Sequence, residues 1–358
     1  MARALQLARR GMYTTSPNPR VGSVLVKNRQ IVGQGWHERA GGPHAEIAAL
    51  TEAQGAARGA ECYVTLEPHV HFGRTPPCTR ALIDAGVARV VAAMEDPNPL
   101  VSGRGMQELA DAGIAISSGL LGDEAAELNR GFVMRMQHGR PFVRVKLALS
   151  ADGFTVMAAG GERWITGDAA RADVQRLRAE SCAVITGIGT VIADDPRLNV
   201  RRDGLGGRQP LRVVLDRGLR FPAGASMLKM RGRTVVITGS ADPKRHAELL
   251  ASGAEIAVLT AVDADFARAV LQYLAEKEQM NEVLVEAGMT LAGTMLSMGL
   301  VDELLVYQSR VALGDRGRAP FHPPGTEVEA HAQGLKLIDC RAVGGDWRMT
   351  FRRSPAQS

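Results

Sequence analysis

The chain has 358 residues, of which 45% are hydrophobic and 23% are charged. These proportions are typical of a globular protein, and the length predicts two domains at roughly 150 residues each. The net charge of +5 suits anionic small molecules. The sequence has no basic run with interleaved aromatic residues, so a nucleic-acid ligand is disfavoured. No apolar run reaches the roughly 18 residues that cross a membrane, and the first residues lack a secretory stretch, which predicts a cytoplasmic protein.

The first half of the chain alternates predicted helices and strands. A helix over residues 1–12 precedes the strands Val21–Val26 and Ile31–Trp36, which a turn at Lys27–Gln30 joins into a hairpin. Further strands are predicted at Cys62–Leu66, Val87–Met94 and Ile114–Ser117, and helices at Ala45–Gln54, Pro77–Ala85 and Met106–Ala112. The polar stretch 129–139 ends in Gly139-Arg140-Pro141, and we place a domain boundary there, between residues 1–140 and 141–358.

A second α/β series follows the boundary. Strands are predicted at Phe142–Leu149, Ala183–Thr186, Arg212–Leu215, Thr234–Thr238, Glu255–Leu259, Glu282–Glu286 and Glu303–Val311. Helices are predicted at Ala169–Arg178, Pro243–Ala251, Phe266–Glu276 and Leu291–Met298. Strands that alternate with helices predict a layered α/β fold in both halves.

The spacing of the cysteines argues against a disulfide framework. The chain has four cysteines, which are far apart and lie mostly in apolar segments. Cys62, Cys182 and Cys340 are expected to be buried free thiols. Cys78 differs because it follows two prolines at a predicted helix start, where the helix dipole favours a thiolate.

Three motifs in the first half combine residue types suited to zinc chemistry. They are His44-Ala45-Glu46, Glu67-Pro68-His69 and Pro76-Pro77-Cys78. Imidazole and thiolate are good zinc ligands, and three protein ligands leave the fourth position for water. Glu46 is the candidate acid/base, and it shares a site with His44 only if both lie at a helix start. Alone, His-x-Glu also fits a helix start with a surface glutamate; with the Pro-Cys pair it matches a zinc deaminase signature.

Longer motifs resemble a known family. They are Asn18-Pro19-x-Val21-Gly22, Pro43-His44-Ala45-Glu46, Thr65-Leu66-Glu67-Pro68, Gly73-Arg74-Thr75-Pro76-Pro77-Cys78 and Asp96-Pro97-Asn98-Pro99. This half resembles the bifunctional diaminohydroxyphosphoribosylaminopyrimidine deaminase / 5-amino-6-(5-phosphoribosylamino)uracil reductases of bacterial riboflavin biosynthesis. The resemblance implies a cytidine-deaminase-like α/β/α domain, one Zn²⁺ and hydrolytic loss of ammonia from an aminopyrimidine. It also implies that the phosphorylated substrate binds near Asn18, His71, Arg74 and Asn98.

One departure from the family concerns a zinc ligand, because the family has Cys where this chain has His69. Three arrangements are compatible with this change: His69 ligates zinc, His71 takes its place, or the site has lost zinc and deamination. A site with two histidines and one cysteine carries about one more positive charge than the family's site. It should therefore make a bound water more acidic and hold zinc less tightly.

The second half lacks the dinucleotide fingerprint of three glycines, since Gly187-Ile188-Gly189-Thr190 supplies only the first two. Thr186–Thr190 is still compatible with a turn whose amides face a phosphate. Its other motifs resemble the reductase half of the same family: Val145-Lys146-Leu147, Ser150-x-Asp152-Gly153, Trp164-Ile165-Thr166, Thr190-Val191-x-Ala193-Asp194-Asp195-Pro196 and Val285-Glu286-Ala287-Gly288.

The resemblance implies a dihydrofolate-reductase-like α/β domain that uses NADPH. It places NADPH beside Ala148, Trp164, Thr190, Asp194, Gly288, Met289 and Thr290, and the substrate beside Arg178, Leu198, Arg201 and Glu286. Glu162 and Arg217 stand where the family usually has serine; we expect Glu162 at the substrate and Arg217 near the 2′-phosphate of NADPH. Lys146 is either close to the hydride-transfer site or a solvated strand residue.

The leading hypothesis is a bifunctional enzyme that deaminates 2,5-diamino-6-(5-phosphoribosylamino)pyrimidin-4-one and then reduces the ribosyl chain to give 5-amino-6-(5-phosphoribitylamino)uracil. The alternative is a reductase with a degenerate deaminase domain, as His69 suggests. A nucleic-acid-editing deaminase is disfavoured, because it leaves the second half without a role. Family members associate through the reductase half, so a homodimer is expected.

Overall fold

The computed structural model describes residues 1–70, 77–99, 101–155, 164–205, 207–260, 265–314, 317–321 and 334–353. The chain forms two compact units, Met1–Arg140 and Pro141–Ser358. Each unit contains a β-sheet and its own clusters of buried apolar side chains. Among the described residues, no helix has both the length and the hydrophobicity that a bilayer span requires.

Unit 1 is built on a mixed five-stranded sheet. Its strands are β1 (Gly22–Lys27), β2 (Gln30–Trp36), β3 (Glu61–Val64), β4 (Arg89–Ala92) and β5 (Ala115–Ser118). Its helices are α1 (Ala2–Ala8), α2 (Ala45–Ala53), α3 (Cys78–Asp84), α4 (Arg104–Asp111), α5 (Gly122–Leu128) and α6 (Arg130–His138). The strand order is β2-β1-β3-β4-β5, with β1 antiparallel to both of its neighbours and β3, β4 and β5 parallel.

The strand pairing fixes where the loops of unit 1 emerge. The β1–β2 hairpin closes on Asn28 and Arg29, whose φ angles of +52° and +63° are typical of the type I′ turn that matches strand twist. Because β3 and β4 are parallel, with Val64 paired to Ala92, their carboxyl ends lie at the same edge of the sheet. The segments that follow both strands therefore leave from this edge.

Unit 2 is built on a nine-stranded sheet. Its strands are β6 (Phe142–Leu149), β7 (Ala183–Gly187), β8 (Leu211–Leu215), β9 (Thr234–Thr238), β10 (Glu255–Val258), β11 (Glu282–Val285), β12 (Glu303–Gln308), β13 (Leu335–Val343) and β14 (Asp346–Arg353). Its helices are α7 (Asp168–Glu180), α8 (Ile188–Asp194), α9 (Pro243–Ala251), α10 (Phe266–Glu276) and α11 (Met289–Ser297).

The sheet of unit 2 is parallel except at one end. In the order β10-β9-β8-β7-β11-β6-β12-β14-β13, the strands from β10 to β12 are parallel, and β14 and β13 are antiparallel to their neighbours. Successive residues of β11 alternate between two apolar clusters, with Val283 and Val285 in one and Leu284 in the other. A parallel sheet covered on both faces is the usual form of an α/β domain.

The structure contains every helix and strand that the sequence patterns predict, although the ends of most of them are shifted. The patterns do not predict α5, α6, α8 or the β13–β14 hairpin. The helix α6 lies in the polar stretch chosen for the boundary, and α8 is short and contains the β-branched residues Thr190, Val191 and Ile192. The prediction that Cys340 is buried is wrong, because it lies exposed on β13.

Candidate active sites

Three predicted ligands of unit 1 come together at the starts of two helices. His44 immediately precedes α2, and Cys78 is the first residue of α3. The ligand atoms of His44, His69 and Cys78 all lie within 4.8 Å of one another, and Nδ1 of His44 lies 3.3 Å from Sγ of Cys78. Tetrahedral zinc with bonds of about 2.0–2.3 Å has ligand–ligand edges of about 3.3–3.6 Å, which the distance between His44 and Cys78 matches, and two imidazoles with one thiolate are a donor set that suits the ion.

The helix that carries Cys78 also holds His69 in place. The carbonyl oxygen of His69 accepts hydrogen bonds from the backbone amides of Cys78 (3.1 Å) and Thr79 (3.4 Å). Amides of a first helical turn have no partner within the helix. They are satisfied here by the residue that offers the second imidazole, whose ring centroid lies 4.5 Å from that of His44.

Two glycines of β2 allow α2 to pack closely against this strand. A Cβ atom on Gly33 would lie 2.3 Å from the carbonyl oxygen of Ala49, and one on Gly35 would lie 2.5 Å from Cβ of Ala48. Both distances are shorter than van der Waals contact, so only glycine permits this approach of helix and strand. The start of α2, where His44 and Glu46 lie, depends on that approach.

Glu46 is the buried carboxylate beside the three ligands. Its residue is 4% exposed, and burial raises its pKa although a hydrogen bond with Cys78 lowers it. Burial also raises the pKa of the Cys78 thiol, and the charge of Glu46 raises it further. Without a metal, burial therefore keeps the pKa of the Cys78 thiol raised, whereas the sequence suggests that the helix start lowers it. A bound zinc ion reverses this balance, because a coordinated thiol loses its proton.

His37 is a residue that the sequence patterns do not single out. It is 3% exposed, and its ring lies 5.3 Å from that of His44 in an edge-on arrangement. Its Nδ1 lies 2.9 Å from the carbonyl oxygen of Pro43, and Nδ2 of Asn18 donates to its Nε2 at 3.0 Å. Burial lowers the pKa of His37. A neutral His37 therefore orients Asn18 beside the segment that leads to His44, the first predicted zinc ligand.

The other predicted substrate residues of unit 1 are only partly described. Asn98 lies in the turn that follows β4, at the edge of the sheet where the segment bearing His69 also emerges. His71 and Arg74 lie outside the described residues, as does Glu162 of unit 2.

The predicted NADPH residues of unit 2 lie at the carboxyl ends of its parallel strands. Ala148 is near the end of β6, and Arg217 follows β8, where its guanidinium carbon lies 5.2 Å from the ring centroid of Phe266. Gly288 immediately precedes α11, and its amide donates to the Thr190 hydroxyl of α8 at 3.2 Å. The structure thus brings Thr190 against the start of α11, which contains Met289 and Thr290.

Two further predicted NADPH residues stand apart from that contact. Trp164 is 55% exposed, and the guanidinium carbon of Arg171 lies 5.5 Å from its ring centroid. Asp194 is the last residue of α8. The turn 186–190, proposed as a phosphate-facing loop, is instead the junction of β7 and α8.

The predicted substrate residues of unit 2 form a charged cluster. Glu286 accepts hydrogen bonds from Nε (2.5 Å) and Nη2 (2.9 Å) of Arg178. Nη1 of Arg178 donates to the carbonyl oxygen of Asn199 at 3.0 Å, and Nη1 of Arg201 donates to the Asn199 side chain at 3.1 Å. The guanidinium group of Arg178 is therefore engaged by Glu286 and the backbone of Asn199. Nearby Leu198 is buried with a φ of +48°.

Lys146 belongs to the same cluster. Burial lowers its pKa, while the charge of Glu286 raises it and that of Arg178 lowers it. Burial raises the pKa of Glu286, but Arg178, Lys146 and Arg201 together lower it. The interpretation of Lys146 as a solvated strand residue is wrong. Arg178 and Arg201 alone give the cluster around Glu286 an excess of positive charge.

Comparisons with known proteins match both halves. Residues 141–349 match the RibD C-terminal domain, and residues 1–94 match the cytidine and deoxycytidylate deaminase zinc-binding region. The riboflavin biosynthesis protein RibD of Escherichia coli (strain K12) is 46% identical, over 97% of this chain and 96% of its own length. The chain belongs to the RibD family. The family match confirms the predicted fold class, a cytidine-deaminase-like domain followed by a reductase domain.

Solved RibD structures cover the chain almost completely. Acinetobacter baumannii RibD (form 1) superposes with a TM-score of 0.90 at 44% identity and covers 99% of this chain and 98% of its own. A Thermotoga maritima diaminohydroxyphosphoribosylaminopyrimidine deaminase / 5-amino-6-(5-phosphoribosylamino)uracil reductase gives 0.86 at 32% identity, with 99% and 97% covered. The chain is a bifunctional enzyme of riboflavin biosynthesis that uses Zn²⁺ and NADPH. The alternative of a degenerate deaminase is not favoured.

Proposed function

We propose that this chain deaminates 2,5-diamino-6-(5-phosphoribosylamino)pyrimidin-4-one in unit 1 and reduces the ribosyl chain of the product in unit 2. The observation that carries the first step is the convergence of His44, His69 and Cys78, with buried Glu46 beside them. His44, His69 and Cys78 would hold zinc. When bound there, Zn²⁺ makes a water molecule acidic enough to attack a ring carbon at neutral pH.

Glu46 moves the protons of the deamination. Its carboxylate takes a proton from the attacking water and delivers one to the departing amine, so that ammonia leaves and a ring carbonyl remains. A raised pKa suits both duties, because it makes the carboxylate a stronger base toward the attacking water, and the acid that results can return the proton. Asn18, which His37 orients, is placed to bind the ring, and Asn98, His71 and Arg74 complete the substrate contacts.

In unit 2, NADPH supplies the hydride that reduces the ribosyl carbon. The amides at the start of α11, with Thr190 against them, suit a cofactor phosphate. Ala148, Trp164, Asp194, Met289 and Thr290 are assigned to the same cofactor. Arg217 is placed to bind the 2′-phosphate, which distinguishes NADPH from NADH.

The charged cluster of unit 2 binds the substrate. Arg178 fixes the Glu286 carboxylate, which is placed to accept hydrogen bonds from sugar hydroxyls, and the more exposed Arg201 is placed to bind the phosphate. Leu198 and Glu162 are assigned to the same pocket. The excess positive charge of the cluster suits a phosphorylated ligand.

The test separates the two activities. Purified protein is incubated with the diaminopyrimidine ribosyl phosphate, and ammonia release and NADPH oxidation are followed independently. The proposal requires ammonia first and then NADPH oxidation, with about one zinc per chain. NADPH oxidation that occurs only with already deaminated substrate would leave a reductase with an inactive first unit.

We further propose that the chain works in the cytoplasm as a homodimer that associates through unit 2. The exposed side chains of the edge strand β13 are compatible with a partner there. Light scattering coupled to size-exclusion chromatography measures the mass, and a monomer at micromolar concentration would exclude this assembly.

A further inference from the structure

Glu67 is a buried carboxylate with no part in the proton transfers above. It is 3% exposed. Its Oε2 accepts hydrogen bonds from the amides of Asp96 and Gly103, both at 3.0 Å, and its Oε1 accepts from Gly105 (2.7 Å) and Met106 (3.3 Å). A carboxylate that accepts backbone hydrogen bonds on both oxygens is held rigidly, and it also restrains the backbone that donates them.

The amides of Gly105 and Met106 belong to the first turn of α4, where amides have no partner within the helix. The residue before α4 is Gly103, which offers no side chain to cap it, so Glu67 caps the helix from another segment. The negative charge also opposes the positive end of the helix dipole. A Cβ atom on Gly105 would lie 2.0 Å from the carbonyl oxygen of Pro68, so the contact requires glycine there.

The other two amides close the turn that carries Asn98. Asp96 and Gly103, at its two ends, bind the same oxygen of Glu67. Within the turn, the Asn98 amide donates to Oδ1 of Asp96 at 2.9 Å, and the Asn98 carbonyl accepts from Val101 (2.8 Å) and Ser102 (3.0 Å). The hydrogen bonds to Glu67 therefore hold the backbone of Asn98 in place.

Glu67 also lies close in the chain to a predicted zinc ligand. It lies two residues before His69, and its own amide donates to the carbonyl oxygen of Met94 at 3.0 Å. The helix that it caps also reaches α3, because the Thr79 hydroxyl donates to Glu108 of α4 at 2.7 Å. A single carboxylate thus links the segment of a metal ligand to the turn of a substrate residue.

We propose that Glu67 is a positioning residue for deamination, which sets the turn bearing Asn98 against the segment bearing His69. The inference rests on the proposed function of unit 1. Glu67 itself touches neither the substrate nor the reacting atoms. Loss of its anchoring should therefore weaken substrate binding and leave the metal in place.

The test is Glu67→Gln, which keeps the size of the side chain but turns an N–H group toward two of the amides. We expect the KM for deamination to rise at least about tenfold, with kcat changed less than about threefold, since the lost contacts position the substrate. Zinc should stay at about one per chain, and reduction of already deaminated substrate should be unchanged. Glu124→Gln, at an exposed position of α5, is the matched control and should behave like the parent.

Two results would overturn the proposal: an unchanged KM, or loss of zinc with a falling kcat, which would make Glu67 a support of the metal site alone. Hydrogen exchange at Gly103, Gly105 and Met106 tests the anchoring without any activity, and these amides should exchange at least about tenfold faster in the variant. Parent protein that releases no ammonia would instead refute the proposed function. If Glu67→Gln does not fold, Glu67→Asp keeps the charge with a shorter reach and should give the same rise in KM, only smaller.

Discussion

Sγ of Cys78 lies 3.3 Å from Nδ1 of His44, although 34 positions separate the two residues in the chain. The contact joins the starts of α2 and α3, and His69 is bound to the backbone of α3. The geometry of the three predicted zinc ligands is therefore built by the protein fold itself.

The first prediction concerns that ligand. His69→Cys should raise zinc affinity at least about tenfold, because a second thiolate adds negative charge and a softer donor to the site. Competition with a chromophoric chelator measures the affinity. In the cobalt-substituted protein, the thiolate-to-metal absorption should roughly double. Cys340→Ser, at an exposed cysteine of unit 2, is the control and should change neither quantity. Equal affinities of parent and His69→Cys would mean that His69 is not a ligand.

The second prediction separates proton transfer from metal binding. Glu46→Gln should lower kcat for ammonia release by about 10²–10⁴-fold, since the amide cannot accept a proton from water. Zinc content and NADPH oxidation with deaminated substrate should remain at the parent level. Glu52→Gln, at an exposed position of the same helix, is the matched control. Retention of ammonia release by Glu46→Gln would remove the acid/base role from this residue.

The third prediction concerns cofactor choice. Arg217→Ala should raise the KM for NADPH about tenfold and leave the KM for NADH unchanged, because only NADPH carries the phosphate that a guanidinium binds. Initial rates with the two cofactors measure the effect. Arg220→Ala, at an exposed arginine nearby, should leave both values unchanged. A parallel rise for both cofactors would place Arg217 away from the phosphate.

The fourth prediction concerns a buried ion pair of unit 2. Asp173 accepts hydrogen bonds from Tyr307 (2.6 Å) and Arg348 (2.8 Å) and also pairs with Arg176. Burial raises the pKa of Asp173, but these three donors outweigh it and lower the pKa. Asp173→Asn should lower the free energy of unfolding by about 3 kcal/mol at pH 7, because it leaves the largely buried Arg348 with only the more distant carboxylate of Asp339, at 3.9 Å.

The same pair gives a pH dependence with a definite sign. A carboxylate whose pKa is lowered on folding stabilises the protein above its unfolded pKa, about 3.9, and loses that contribution as the pH falls through the folded value. The difference between parent and Asp173→Asn should therefore shrink below about pH 4. Denaturant unfolding at several pH values measures it. Asp168→Asn, at an exposed position of α7, should differ little from the parent at any pH.

The sequence predicts the α/β order well because buried strands and amphipathic helices carry their own periodicity. It fails where that periodicity is absent: β13 exposes residues on both faces, so Leu335–Val343 lacks the alternation of a half-buried strand. Cys340 was expected to be buried for its residue type, but its strand lies at the edge of the sheet.

In the candidate sites, too, the sequence predicts some residues and misses others. The motifs point to His44, Cys78 and Glu46, because these residue types and their spacing are tied to zinc chemistry. His37 carries no comparable pattern, since its role comes from a partner at Asn18 and a carbonyl at Pro43. Arg178 lies on α7, and Glu286 follows β11, 108 positions further along the chain. The two residues meet because β11 pairs with β7, the strand that follows α7.

Gly33 and Gly35 have a consequence for how variants of this enzyme should be interpreted. Neither residue has a side chain that could bind a metal or a substrate, yet a methyl group added at either one would collide with atoms of α2. The position of α2, which Glu46 belongs to and His44 immediately precedes, thus depends on two strand residues that lack a side chain. A change of either glycine to alanine should therefore disturb the proposed active site, although neither position lies in it.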